Sequence, residues 1–232
     1  MVVGNGLVAK AFGAYEQNND VVIFASGVSN SKESDNAAFE REIGLVKEVV
    51  NNNPEKLFVY FSTTSIDDKS LKDKKYVQHK LYIESLIAQT CARYYIFRIS
   101  NIVGHTGNPN TIVNFFTRHI QGDESFAVWE NAYRNIIDID DVFRIGSAII
   151  DNGLHANSII NIAYPYNIAV TEIVATIESF LDKKGTYTRA SFGENYLSST
   201  SKIDHFFSPD PLAPVDYLRR MLDKYLTKPQ NP

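Results

Sequence analysis

The 232-residue sequence has one cysteine, Cys91, so no internal disulfide can form. Cys91 sits on the apolar side of an expected helix, where a buried thiol fits better than a nucleophile. Long apolar runs are missing. The longest, residues 21–25 and 57–61, fall far short of the roughly 18 residues needed to span a bilayer. No charged start leads into an apolar leader, so the expected location is cytoplasmic, with no membrane partner. The five histidines form no HxH, HxxxH or HExxH pair, which argues against a metal site. A basic excess is absent as well: 23 Lys and Arg against 27 Asp and Glu give a net charge of −4 and a pI near 5.7. That balance argues against a nucleic-acid partner. The cluster Lys69, Lys72, Lys74 and Lys75 alternates with Asp67, Asp68 and Asp73 and reads as a solvated loop. There is no internal repeat and no low-complexity tract.

What is present is an ordinary globular balance, 44% hydrophobic and 22% charged. Apolar spacing alternates between strand and helix. Strands are expected at residues 1–3, 20–25, 57–61 and 94–99, and helices at 7–15, 36–51 and 76–93. The strand segments are near-continuous apolar runs, as in a parallel sheet covered on both faces. Helix 36–51 carries Phe39, Ile43, Val46 and Val50 at helical spacing. After residue 104 the texture changes. Residues 104–110 form a loop, helices are expected at 111–121, 142–150, 170–181 and 215–226, and short strands at 127–129, 136–139 and 159–163. The prolines at 209, 211 and 214 mark a loop, and residues 228–232 should fray. The expected division is a core at 1–104 and a lobe at 105–232, with some segments of the lobe returning to the core.

Two constellations carry chemistry. Val2-Val3-Gly4-Asn5-Gly6-Leu7-Val8-Ala9 reads as strand, GxGxxA turn and helix start. Gly4 permits the turn, Gly6 lets a pyrophosphate approach the backbone, and Ala9 lets the helix lie close to the sheet. Amides of the first helical turn hold phosphate oxygens in such a site. The bland reading is a tight turn that binds nothing. The second is Phe61-Ser62-Thr63-Thr64-Ser65 at a strand end, followed by Tyr76 and Lys80 at i and i+4 on one helix face. A neighbouring ammonium favours phenolate and lowers a tyrosine's pKa toward the range useful for acid–base work.

In combination and in order, these segments resemble the extended branch of the short-chain dehydrogenase/reductase superfamily, the NAD-dependent epimerases, dehydratases and reductases of nucleotide sugars. The resemblance covers about residues 1–207. It implies a truncated Rossmann-like α/β fold: a parallel sheet with helices on both faces and a small α+β C-terminal lobe. It also implies NAD or NADP as cofactor and a nucleotide-sugar substrate. Thr64, with Thr63 second, matches the catalytic Ser/Thr. Tyr76 matches the acid–base tyrosine and Lys80 the ribose-binding lysine. Gly4, Asn5, Gly6, Leu7 and Val8 match the phosphate loop; Ala25, Ser26 and Gly27 match the strand end beside the cofactor, with Ser62 nearby. Arg98-Ile99-Ser100-Asn101-Ile102-Val103-Gly104 resembles a further family segment, in which Ser100 lies near the nicotinamide and Asn101 contacts the substrate. Arg134, opening Arg134-Asn135-Ile136-Ile137-Asp138-Ile139-Asp140-Asp141-Val142, is a candidate for substrate phosphates, whereas Asp141 reads as a structural residue or helix cap. Thr63 joins Asn101 and Arg134 on the substrate side. Family members of this branch often pair through two helices, here 36–51 and 76–93. Leu45, Val49 and Tyr82 lie outside their main stripes, which leads to the expectation of a homodimer.

The departures are specific. GxGxxA is one residue shorter than the branch's usual GxxGxxG. Only residues 10–19 separate the phosphate loop from the strand at 20–25, so two strands and a helix that would read the adenosine ribose are missing. Ser65-Ile66 stands where the branch's 4,6-dehydratases carry Asp-Glu. The expected chemistry is therefore ketoreduction or epimerisation rather than dehydration. The alternative is a non-catalytic dinucleotide- or sugar-nucleotide-binding protein that retains the fold, or a partner subunit completing a fuller homologue.

Overall fold

The structure is a computed structural model that describes residues 1–226; the fraying expected at 228–232 lies outside the described residues. The elements run β1 (Val2–Val3), α1 (Leu7–Ala11), β2 (Val21–Phe24), α2 (Asn36–Asn51), β3 (Leu57–Thr63), α3 (Lys75–Thr90), β4 (Tyr94–Ile99), β5 (Asn101–Val103), α4 (Ile112–Gln121), β6 (Phe126–Trp129), β7 (Tyr133–Arg134), β8 (Ile136–Asp138), α5 (Ile139–Asp151), β9 (Ser158–Ile162), β10 (Ile168–Ala169), α6 (Val170–Leu181), β11 (Tyr187–Ala190) and α7 (Pro214–Tyr225). No helix of the described residues is long and apolar enough to cross a membrane. The chain divides into two compact units. The first comprises Met1–Ser100, Ile139–Ile162 and Ser198–Ile203; the second comprises Asn101–Asp138, Ala163–Leu197 and the described residues from Asp204 on.

The first unit is a five-stranded sheet in the order β1-β2-β3-β4-β9, parallel throughout. Every strand is followed by a helix or a long connection, which is what parallel pairing requires. On one face Val22, Phe24, Phe58, Tyr60 and Ile96 pack against Val46, Val49 and Val50 of α2 and Ile83 and Ile87 of α3. Ile83, Ile87 and Ile96 are completely buried, and side chains of this size contribute roughly 1.5–3 kcal/mol each when removed from water. On the opposite face Phe12 meets Phe61 at 5.0 Å and Phe143 of α5 at 5.3 Å between ring centres.

β1 pairs directly with β2, Val2 opposite Ile23 and Val3 opposite Phe24. β1 is therefore an edge strand, and no strand lies on its outer side among the described residues. The shortening read from residues 10–19 is real. α1 has only five residues and passes into a single 3-10 turn at Gly13–Tyr15.

The second unit has a core built from Phe116, Ile120, Ile173, Val174, Ile177, Leu218, Met221 and Leu222, from α4, α6 and α7. Its strands form three two-stranded pairs: β5 with β8 and β6 with β11 in parallel, and β7 with β10 antiparallel. The residue 101–103 strand, β7, β10 and β11 were not expected from the sequence. At two to four residues each, they give too short a pattern to read. Two smaller corrections concern α2 and α3. Val49 is buried in the first unit's core rather than outward, because α2 buries a broad stripe. Cys91 is half-buried at the C-cap of α3, not inside the helix. Tyr82 and Leu81 are exposed on α3.

Candidate active site

The chemistry-bearing residues of the first unit gather where β3 ends and α3 begins. β3 runs to Thr63, two residues beyond the expected end, because Ser62 and Thr63 still pair with Arg98 and Ile99 of β4. The chain then turns into a 3-10 segment, Thr64–Asp67, capped by the Thr63 hydroxyl, which accepts from Ser65 N at 3.1 Å. A second 3-10 turn, Lys69–Leu71, is capped by Asp68, whose Oδ1 accepts from Ser70 N at 2.9 Å. Both turns use short side chains in place of backbone partners. Lys69, Lys72, Lys74 and Lys75 are exposed around them, as expected for a solvated segment.

Tyr76 and Lys80 lie on the inward face of α3, one turn apart, and are 6% and 2% exposed. The Tyr76 ring packs with Val28, Phe39 and Val77. Ile66 packs on the same cluster, so the residue standing in the Asp-Glu position is apolar and engaged. The Thr63 hydroxyl acts on the Tyr76 phenol and favours its ionised form. Thr63 and Thr64 are both buried.

A fully buried carboxylate organises the floor of this site. Glu42 of α2 is 0% exposed and accepts four hydrogen bonds. Oε2 takes Val28 N at 2.6 Å and His79 Nε2 at 2.9 Å; Oε1 takes the Tyr60 hydroxyl at 2.6 Å and Lys80 Nζ at 3.1 Å. Lys80 Nζ also donates to the Tyr60 hydroxyl at 2.8 Å. Burial pushes the Glu42 carboxyl up, but His79, the Lys80 charge, Tyr60 and the Val28 amide outweigh it and hold the pKa at about 2. Because the ionised carboxylate has no proton to give, His79 carries its hydrogen on Nε2. Saturation of both oxygens is what makes a buried charge tolerable.

This cluster sets the surroundings of Tyr76 in the protein alone. The Tyr76 pKa is pushed up to about 12, chiefly by burial and secondarily by the Glu42 charge, against the opposing effect of the Thr63 hydroxyl. Lys80 sits 5.8 Å from the centre of the Tyr76 ring, but its ammonium is paired with Glu42. A neutralised cation does not stabilise phenolate. Burial in turn lowers the Lys80 pKa, with Glu42 and Glu84 opposing.

The other candidates fall into three groups. In the turn after β1, Gly4 adopts φ +126°, and a Cβ there would lie 2.4 Å from the Ala25 carbonyl oxygen. Gly4, Asn5 and Gly6 are exposed, Leu7 and Val8 half-buried. Nothing lies within 4 Å of where a Gly6 Cβ would project, so this stretch of backbone is open to a ligand. Gly6 caps α1 without any side-chain cap bond. Ala25, Ser26 and Gly27 follow β2 and are half-buried; the Ser26 carbonyl accepts from Arg41 Nη2 at 3.3 Å.

At the centre of the sheet, the Ser62 hydroxyl donates to Glu84 Oε1 at 2.6 Å, and Arg98 grips both Glu84 oxygens at 2.9 and 2.6 Å. Ser62, expected at the cofactor, spends its donor on this buried network instead. Ser100 Oγ is buried with no hydrogen-bond partner. An orphaned hydroxyl of this kind calls for a group not present in the protein alone.

In the second unit, Asn101 Nδ2 donates to the Asn135 carbonyl at 2.7 Å, which ties β5 to the start of β8, and Arg134 Nη1 donates to the Tyr133 carbonyl at 2.7 Å. Both are half-buried. Asp141 lies in the first turn of α5 and pairs with Arg144 at 2.9 Å.

Sequence reasoning missed Glu42, Tyr60, His79 and Glu84. A signal existed for Glu42: it lies three residues after Phe39 and four before Val46, so a carboxylate falls on the apolar stripe of α2.

No protein-family model matches the sequence, and no curated protein matches it. Solved structures match over nearly the whole chain. RMD from Pseudomonas aeruginosa, complexed with NADPH, is 16% identical with a TM-score of 0.71 over 96% of this chain and 97% of its own. MoeE5 in complex with UDP-glucose and NAD is 14% identical with a TM-score of 0.73 over 95% and 84%. The UDP-glucose 4-epimerase of Thermus thermophilus, complexed with NAD, is 13% identical with a TM-score of 0.67 over 94% and 82%. At these identities the likeness is one of architecture: this chain has the Rossmann-like α/β fold of structures of NAD(P)-bound epimerases and reductases.

Proposed function

We propose that the protein is an NAD(P)-dependent oxidoreductase or epimerase acting on a nucleotide-linked sugar, working by ketoreduction or through a keto intermediate. The observation that carries the proposal is the Thr63–Tyr76–Lys80 arrangement: a buried phenol one helical turn from a buried lysine, with the buried strand-end hydroxyl of Thr63 acting on the phenol. The neighbours crystallised with NADPH, NAD or UDP-glucose support it.

The residues of the first unit fit the nicotinamide and the pyrophosphate of such a cofactor. Ser100 Oγ lacks a partner, and the Gly6 backbone is open. The bound dinucleotide supplies the hydride. In the reductive direction Tyr76 would give its proton to the carbonyl oxygen of the substrate, the cofactor's hydride going to the carbon. Thr63 and Thr64 orient that oxygen, and Lys80 anchors the site from below. Asn101 and Arg134 belong to the second unit, where the Arg134 guanidinium has the chemistry to bind phosphate. The Ile66 side chain offers no carboxyl for water elimination, in keeping with reduction or epimerisation.

The non-catalytic alternative has its own observation. Lys80 is 2% exposed and engaged by Glu42 and Tyr60, and β1 is an edge strand with nothing beyond it, among the described residues, to wall the adenosine. Mixing the protein with NADH or NADPH and a panel of 4-keto nucleotide sugars, with cofactor absorbance as the readout, separates the two. Oxidation of the cofactor at stoichiometric sugar reduction supports the enzyme. Tight binding of cofactor or sugar nucleotide without turnover or epimerisation supports the binding protein.

A further inference from the structure

Glu42 is a charged group completely buried among apolar neighbours, and the chemistry proposed above does not use it. It is too well connected to be incidental. Its four partners come from three elements: the loop amide of Val28, the Tyr60 hydroxyl on β3, and His79 and Lys80 on successive positions of α3. Glu42, Tyr60 and Lys80 close a triangle with sides of 2.6, 2.8 and 3.1 Å. The Gly27 backbone lies over it: a Cβ on Gly27 would stand 2.7 Å from Glu42 Oε1 and 2.8 Å from Lys80 Nζ. The Lys80 nitrogen is thereby fixed from below by Glu42 and Tyr60 and roofed by Gly27.

We propose that Glu42 is a positioning residue for the Tyr76–Lys80 pair. Its carboxylate holds the Lys80 ammonium in one place and cancels its charge, so that Tyr76 enters the reaction as a protonated phenol and serves as a proton donor to a carbonyl oxygen. The direction of this effect follows from charge and distance. A lone ammonium 5.8 Å from the phenol ring would favour phenolate. With a carboxylate 3.1 Å from the same nitrogen, the phenol faces an ion pair of no net charge inside an apolar cluster. The groups acting on the Tyr76 phenol are the Thr63 hydroxyl and Glu42, with Tyr60 coupled to it and the Lys80 nitrogen 5.8 Å from its ring centre; those acting on Lys80 are Glu42, Tyr60, Glu84 and the Tyr76 ring. Among them Glu42 is the one that touches Lys80 and also raises the phenol. The inference rests on the reading of Tyr76 as the acid–base group, and it predicts that the site is poised for reduction.

The test is the ionisation of Tyr76 itself, read as tyrosinate absorbance in the difference between each protein and the same protein carrying Tyr76→Phe. In the native protein the Tyr76 component should ionise only at about pH 12. In Glu42→Gln, which keeps the side-chain volume and the two hydrogen bonds accepted at one oxygen, it should ionise lower by about one pH unit or more, the usual scale for removing a charge near a buried group. The alkaline limb of the reductive pH profile should move down with it. If Glu42→Gln does not fold, because an unpaired buried ammonium is costly, the double variant Glu42→Gln/Lys80→Met removes both charges. Tyr76 should then titrate below the single variant Lys80→Met, in which the Glu42 charge stands alone. Identical Tyr76 titration in native and Glu42→Gln, or in the two Lys80→Met proteins, would overturn the role of Glu42. The readout needs no substrate. Absence of turnover in the native protein would overturn the proposed function and leave the titration to judge Glu42 independently.

Discussion

The Gly27 backbone lies so close to Lys80 that a Cβ on the glycine would stand 2.8 Å from the ammonium nitrogen. The contact is made by the end of a side chain that is itself locked by Glu42 and Tyr60, so neither partner gives freely. Gly27→Ala should lower stability by about 1–3 kcal/mol, the usual cost of forcing extra volume into packed surroundings. Gly4→Ala should cost more, because its Cβ would meet the Ala25 backbone oxygen at 2.4 Å and the residue would be held at φ +126°. Urea denaturation of the two variants checks the ranking. Equal, small losses would mean that neither turn is as tight as the structure has it.

A second prediction concerns acid. Glu42 has a pKa of about 2 in the folded protein against an ordinary value of 4.5. A depressed carboxylate contributes stability that is present above the unfolded value and disappears as pH falls through the folded one. Between about pH 4.5 and pH 2 the protein should lose roughly 3 kcal/mol from this group alone. The variant Glu42→Gln, less stable at neutral pH, should lack this component of the acid slope. Denaturant midpoints measured from about pH 6 down to about pH 3 would show it; parallel slopes for the two proteins would contradict it.

The third prediction follows from the edge position of β1. Among the described residues its outer side carries no strand to supply an acid for the adenosine ribose or an arginine for a 2′-phosphate. Losing hydrogen bonds to a charged group costs on the order of 1.5–3 kcal/mol, or roughly ten- to a hundredfold in affinity. NAD and NADP should bind with similar, modest affinity in titration calorimetry. Submicromolar binding of one with more than about a hundredfold preference would mean that other residues rebuild the missing wall.

The sheet was legible because its strands are short apolar runs with helical stripes between them. Residues 36–51 and 94–99 were placed to the residue, the first from the helical spacing of Phe39, Ile43, Val46 and Val50. The shortened first half was also legible, as a chain length too small for the missing strands. The site was legible only in its motif residues. Tyr76 and Lys80 announce themselves at i and i+4, but what surrounds them comes from α2, β3 and the residue 25–28 turn, through hydrogen bonds between residues 14 to 38 positions apart in the chain. No local pattern states that Lys80 will be neutralised, so the direction of the Tyr76 shift could not be read.

The central claim is that Tyr76 moves the proton. The most direct measurement is single-turnover reduction of a 4-keto nucleotide sugar by native protein and by Tyr76→Phe, with cofactor affinity measured on both. The account predicts a loss of at least about a hundredfold in the rate of the chemical step, with cofactor affinity nearly unchanged, because the phenol oxygen is lost and the ring packing against Val28, Phe39 and Val77 is kept. A Tyr76→Phe protein that reduces the sugar at close to the native rate would contradict it.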